Sequence, residues 1–172
     1  MLKLKKMVPV LLVTVLLLAS VLSGCSQTQD ITGEERQAII AAAVSYQTEG
    51  GVYNADSYEV VKLAKGDIIY GMLPGQSVFY GDKATVDKAQ GSYKTLYSLL
   101  QICPHPVYGY RTKVGKYEVL ADMHVAAGTC LANKTITVDG KVETLGDGGG
   151  FQYVVLDYEN TLKLLEETDL HE

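Results

Sequence analysis

The chain reads as an α+β domain with a mainly antiparallel β core, an N-terminal helix and a short C-terminal helix. Twelve tyrosines and seventeen glycines without a tryptophan favour pleated strands and turns over a helical bundle. Helical periodicity occurs near both ends and in one central stretch, whereas strand-like runs punctuated by Gly and Pro fill the rest. Helices flanking a set of strands, without regular β-α alternation, indicate α+β rather than α/β.

Each element has a local reason. Thr32 and Glu35 stand at capping-box spacing, and Ala38, Ile39, Ala42 and Ala43 recur on one face through Tyr46. A first helix over residues 33–46 follows, ended by Gly50-Gly51. From Tyr58 the runs YEVVKLA, DIIYGM and SVFYG read as strands, separated by Lys65-Gly66 and Pro74-Gly75. Residues 82–101 are helical in two pieces broken at Gly91-Ser92, the second carrying Tyr93, Leu96, Tyr97 and Leu100 on one face. After the proline-rich turn at 104–106, strands return in KYEVLADMHV and in KTITVDGKVETL, where Asp139-Gly140 predicts a hairpin. A glycine loop at 146–150 leads into the apolar strand FQYVVLDY. Asn160 is then placed to cap a last short helix, TLKLLEE.

The first residues differ from this body. Lys3, Lys5 and Lys6 precede an apolar run from Met7 to Leu22 that stops at Leu22-Ser23-Gly24-Cys25. A cationic start, a short apolar stretch and small residues before a cleavage point describe an export signal. The alternative is a transmembrane anchor, for which the run is shorter than the roughly 20 residues a spanning helix needs. Leu-Ser-Gly-Cys resembles the lipobox of bacterial lipoproteins, which implies lipidation at Cys25. The expected organisation is a signal over 1–24, a lipidated cysteine and polar tether over 25–32, and one domain over 33–172. The expected location is the extracytoplasmic side of the cell envelope, with the membrane as a partner through the lipid.

Charge narrows the partners. Fifteen Lys and Arg face twenty Asp and Glu, and three of the fifteen lie in the leader. An acidic body offers no basic stripe to displace counterions from phosphates, so nucleic acid is not an expected partner. Apart from Cys25, the cysteines are Cys103 and Cys130. Outside the cytoplasm these predict a disulfide worth about 3 kcal/mol. The competing reading is a metal site with His105 and His124, which the stiff Cys-Pro-His-Pro turn disfavours, so no metal is assigned. His105 reads as a turn residue rather than a general base, and no Gly-x-Ser-x-Gly elbow or paired carboxylates are present.

The segment Gly148-Gly149-Gly150-Phe151-Gln152-Tyr153 stands out. Three glycines permit positive φ and close backbone approach, and they feed a glutamine set inside an apolar strand. A buried amide must find partners or cost about 1–3 kcal/mol. The plainer reading is a surface loop before a core strand with Gln152 facing solvent.

Residues 117–165 are similar to the end of the domain named after the tuberculosis necrotizing toxin, found in secreted NAD glycohydrolases. The matching pieces are Tyr117-Glu118-Val119-Leu120, Val125-Ala126-Ala127-Gly128, GGGFQY with VVLDY, and TLKLLEE. The resemblance implies an enzyme splitting NAD into nicotinamide and ADP-ribose, with NAD as substrate and no separate cofactor. It implies a pocket role for Gln152, with Gly148, Gly149, Gly150 and Tyr153 around the substrate and Phe79 or Tyr80 against the nicotinamide. Arg111 would hold the pyrophosphate, or else is a surface arginine beside a turn. Asp147 and Asp157 are the nearest carboxylates in sequence. The family's Trp-Phe-Gly-Gln-Pro turn is missing, and Gly71 stands where an arginine is expected. The alternative is a non-catalytic envelope lipoprotein binding a nucleotide, a glycan or a protein. An inhibitor or surface protein is a further expected partner.

Overall fold

Seven strands form one sheet in the order β1-β5-β8-β3-β2-β4-β9, antiparallel at every junction. The computed structural model describes residues 31–51, 53–105, 107–133, 136–138 and 140–172. The strands are β1 (Glu59–Leu63), β2 (Ile68–Leu73), β3 (Phe79–Gly81), β4 (Lys113–Val119), β5 (Met123–Thr129), β8 (Phe151–Val154) and β9 (Leu162–Asp169). A separate hairpin joins β6 (Ile136–Val138) to β7 (Lys141–Glu143) around Gly140, at the turn the sequence predicts. The mainly antiparallel α+β class is therefore the observed one.

The helices begin where side-chain caps allow. Thr32 accepts from the Glu35 N–H at 3.2 Å while the Glu35 carboxylate accepts from the Thr32 N–H at 2.7 Å, opening α1 (Gly33–Thr48). Asp82 accepts from the Thr85 N–H at 2.8 Å to start α2 (Lys83–Lys88). Ser92 does the same for α3 (Tyr93–Leu100). Each bond satisfies a backbone donor that has no partner inside its helix. A short α4 (Tyr158–Thr161) precedes β9. No helix of the described residues is long and apolar enough to cross a membrane.

Two expectations need correction. TLKLLEE is not a helix: α4 ends at Thr161, and Leu162–Asp169 pairs along β4 as the edge strand, with Leu162 opposite Val119 and Asp169 opposite Lys113. Seven Cα pairs with β4 outweigh the weak helical preference of an isolated Leu/Lys/Glu stretch. No disulfide joins Cys103 to Cys130. The buried Cys130 thiol faces the Asp56 carboxylate, whereas Cys103 interacts with the Tyr53 side chain.

The core falls into three clusters. Leu63, Ile69, Tyr80, Tyr117, Val119, Val125, Val155 and Leu162 pack together across the sheet. Met72, Val114, Ala89, Leu96, Tyr97 and Leu99 bind α2 and α3 to β2 and β4. Ala43, Val78, Ala126 and Val154 seat α1 against β5 and β8. All three lie within Ile31–Glu172, a compact unit of the chain.

Candidate functional site

Between α3, the end of α1 and strands β2, β3, β4 and β8 lies a cavity of about 340 Å³. Its walls are rich in rings: Tyr46 on α1, Tyr53 just after it, Tyr70 on β2, and Phe79 and Tyr80 on β3. Gly71 on β2 makes room for one of them. A Cβ at Gly71 would stand 2.8 Å from Tyr80 Cε1, so a side chain there would displace the tyrosine ring. Tyr80 also meets Tyr117 edge to face, with centroids 5.3 Å apart. Its side chain is 1% exposed, yet its hydroxyl has no hydrogen-bond partner among the described residues. Burial pushes the phenol's pKa upward, with smaller contributions from Tyr117 and Tyr158.

Arg111, 9% exposed, supplies the second orphaned group. Its Nη1 donates to the Gly75 carbonyl at 3.2 Å and the Met72 carbonyl at 3.4 Å, and its backbone N–H donates to the Tyr97 hydroxyl at 2.7 Å. Its Nε has no partner, and no ion pair among the described residues engages it. A buried guanidinium held by carbonyls alone keeps uncompensated positive charge, a costly arrangement unless something anionic completes it.

Gln152 reaches the cavity from β8 and is 4% exposed. Its Nε2 donates to Asp56 Oδ2 at 2.6 Å and to the Tyr58 hydroxyl at 3.2 Å. Asp56, itself 5% exposed, also accepts from Gln47 Nε2 at 2.9 Å and from the Leu131 N–H at 2.7 Å. Gln47 Oε1 in turn accepts from the Asp56 N–H at 2.7 Å and from the Tyr58 hydroxyl at 3.0 Å. Burial raises the Tyr58 pKa, with the Asp56 charge adding to the effect. A closed network of this kind fixes its members more firmly than single bonds do.

Four residues singled out from the sequence therefore surround one cavity: Phe79, Tyr80, Arg111 and Gln152. Gly148, Gly149, Gly150 and Tyr153 do not line it. A Cβ at Gly148 would lie 2.5 Å from the Cys130 carbonyl oxygen, and one at Gly150 would lie 2.8 Å from that of Leu99. The Gly149 and Gly150 N–H groups donate to those same carbonyls at 2.9 and 3.0 Å. The glycines thus lace the loop to the ends of β5 and α3, and Tyr153 stacks edge-on with Phe151. Asp157 accepts from Asn160 Nδ2 at 2.7 Å. The carboxylate bonded to Gln152 is Asp56, ninety-six positions away in sequence.

Asp56, Gln47 and Tyr58 carry no motif that marks them. Gln47 had a usable signal, because it lies four residues after buried Ala43 on the helix face turned to the core. His105 Nδ1 accepts from the Val107 and Tyr108 N–H groups, and His124 sits on β5 opposite Lys62. No group of three metal-ligating side chains comes together among the described residues.

The model of the Rhs1 C-terminal toxin domain matches residues 35–157, most of the chain and the whole cavity wall. The chain belongs to that family. A solved structure described as Rhs1-CT in complex with cognate immunity protein RhsI1 is 31% identical to this Rhs1-type domain, with a TM-score of 0.66. The match covers 78% of this chain and 97% of that one, so the shared fold stands without the remaining residues. No curated protein matches the chain.

This assignment overturns the resemblance drawn from the sequence. The matching family is the Rhs1 toxin domain, not the necrotizing-toxin NAD glycohydrolase domain, and neither match assigns NAD cleavage or a lipid anchor. The pieces that suggested it, such as Tyr117-Glu118-Val119 and the strand after the glycines, are what any antiparallel sheet with a buried face produces. The lipoprotein reading falls with it, and Cys25 and the leader lie outside the described residues.

Proposed function

We propose that this domain is a toxin that acts on a small polar ligand bearing an anionic group, bound in the ring-walled cavity, and that a cognate immunity protein neutralises it. Membership of the Rhs1 toxin family supports the first part, and the neighbour's complex with its own immunity protein supports the last. The observation that carries the ligand class is that two residues lining one cavity, Arg111 and Tyr80, each keep a buried polar atom without a partner, Arg111 Nε and the Tyr80 hydroxyl. Native interiors rarely leave such groups unsatisfied without a functional reason. Rings on the walls suit a ligand with a flat apolar part, and the guanidinium suits an anion.

Induced expression of residues 31–172 in a bacterial cytoplasm tests this. Growth arrest is expected, with relief by Arg111→Met in a protein that still folds. Unimpaired growth with soluble, folded wild type would remove the proposal.

A further inference from the structure

We infer that Asp56 is a positioning residue that sets which end of the Gln152 amide the cavity meets, so that the site selects a ligand presenting an N–H or O–H donor there. This rests on the cavity being the toxin's working site. The orientation follows from counting protons around one network. The Asp56 backbone N–H donates to Gln47 Oε1, which turns Gln47 Nε2 toward Asp56 Oδ2. The Tyr58 hydroxyl spends its only proton on Gln47 Oε1, leaving its oxygen as an acceptor. Gln152 Nε2 has two protons, and it faces two acceptors, Asp56 Oδ2 and the Tyr58 oxygen.

Both Gln152 donors are therefore consumed, on a side chain that lines the cavity. Oε1 is left with no partner among the described residues. Rotating the amide by half a turn would set that oxygen against a carboxylate oxygen and forfeit a charge-assisted bond, the strongest in the network. The Leu131 N–H on Asp56 Oδ1 holds the carboxylate itself in place. Arg111, another residue lining the cavity, keeps Nε as a donor without an acceptor. The site is thus polarised, with an acceptor on the β8 side and a donor at Arg111. Its ligand carries a hydrogen-bond donor at one end and an anionic acceptor at the other.

The test uses ¹⁵N-labelled residues 31–172, with the Gln152 side-chain NH₂ signal assigned by its loss in Gln152→Ala. Both amide protons are expected to exchange slowly with solvent. Asp56→Asn is expected to speed their exchange about tenfold or more, by replacing an acceptor with a competing donor. Tyr58→Phe, a milder change, is expected to release one proton of the pair and leave the other protected. In cells, Asp56→Asn is expected to cut killing about tenfold. Unchanged Gln152 exchange in folded Asp56→Asn and Tyr58→Phe would overturn the inference, as would undiminished killing by folded Asp56→Asn. If the wild type fails to arrest growth, the functional reading falls, and the exchange measurement still decides what Asp56 does.

Discussion

At the level of single residues, the Tyr80 hydroxyl separates stability from activity. It is buried without a partner, so the folded protein bears its desolvation cost. Tyr80→Phe is expected to leave the midpoint of chemical denaturation unchanged or to raise stability by up to about 1 kcal/mol, while weakening growth arrest. A loss of stability would show that the hydroxyl has a partner in solution. Cys130 offers a second check. Burial, reinforced by the Asp56 charge, pushes its thiol pKa well above the ordinary 9.0. It is expected to resist alkylation in the folded protein at neutral pH and to react once denatured, as mass spectrometry would show. Legibility at this scale was uneven. Gln152 could be singled out because a glutamine in an apolar strand is conspicuous, whereas Tyr80 and Arg111 were reached only through the resemblance. Asp56 could not, since its bonds to Leu131 and Gln152 span 75 and 96 positions and leave no local pattern.

Among the elements, the glycines between strands prove structural. A Cβ at Gly128 on β5 would stand 2.5 Å from the Ser57 carbonyl oxygen, which is backbone and cannot swing away. Gly128→Ala is expected to cost about 1–3 kcal/mol, read from thermal or urea unfolding. A neutral outcome would mean that the segment leading into β1 shifts freely. The Thr32 cap, the hairpin at Gly140 and the break between α2 and α3 were readable because each is decided within four or five residues, whereas Asn160, expected to cap the last helix, lies inside α4 after Asp157. The segment after Thr161 was not. Its leucines and glutamates suit a short helix, and only the open edge of β4, far back in the chain, makes it a strand. The glycine triplet was noticed for the right reason, close backbone approach, but what approaches is the chain itself at Cys130 and Leu99 rather than a ligand.

For the molecule as a whole, the composition and punctuation were enough for the α+β class but not for the strand order. β8 enters between β5 and β3, and β4 between β2 and β9, pairings that hydrophobic periodicity does not encode. The family was misread for the same reason, because alternating strands around glycines occur in many unrelated sheets. The buried acids of the cavity region give a global prediction. Folding raises the pKa values of Cys130, Tyr53, Tyr58 and Tyr80, chiefly through desolvation, from ordinary values of 9.0 for the thiol and 10.0 for the phenols. The unfolded chain therefore releases these protons first, and folding stability falls as pH rises beyond those values. The melting temperature is expected to hold steady from neutral pH to about pH 9 and to decline above it. A midpoint that stays level through pH 11 would contradict the burial of these groups.

The most direct measurement is growth arrest by residues 31–172 set beside Gln152→Ala, Arg111→Met and Tyr80→Phe, each first shown to fold by circular dichroism. The account predicts arrest by the wild type and marked relief by all three, because all three residues line one cavity. Full toxicity in the three folded variants would contradict it and place the toxin's action elsewhere on the molecule.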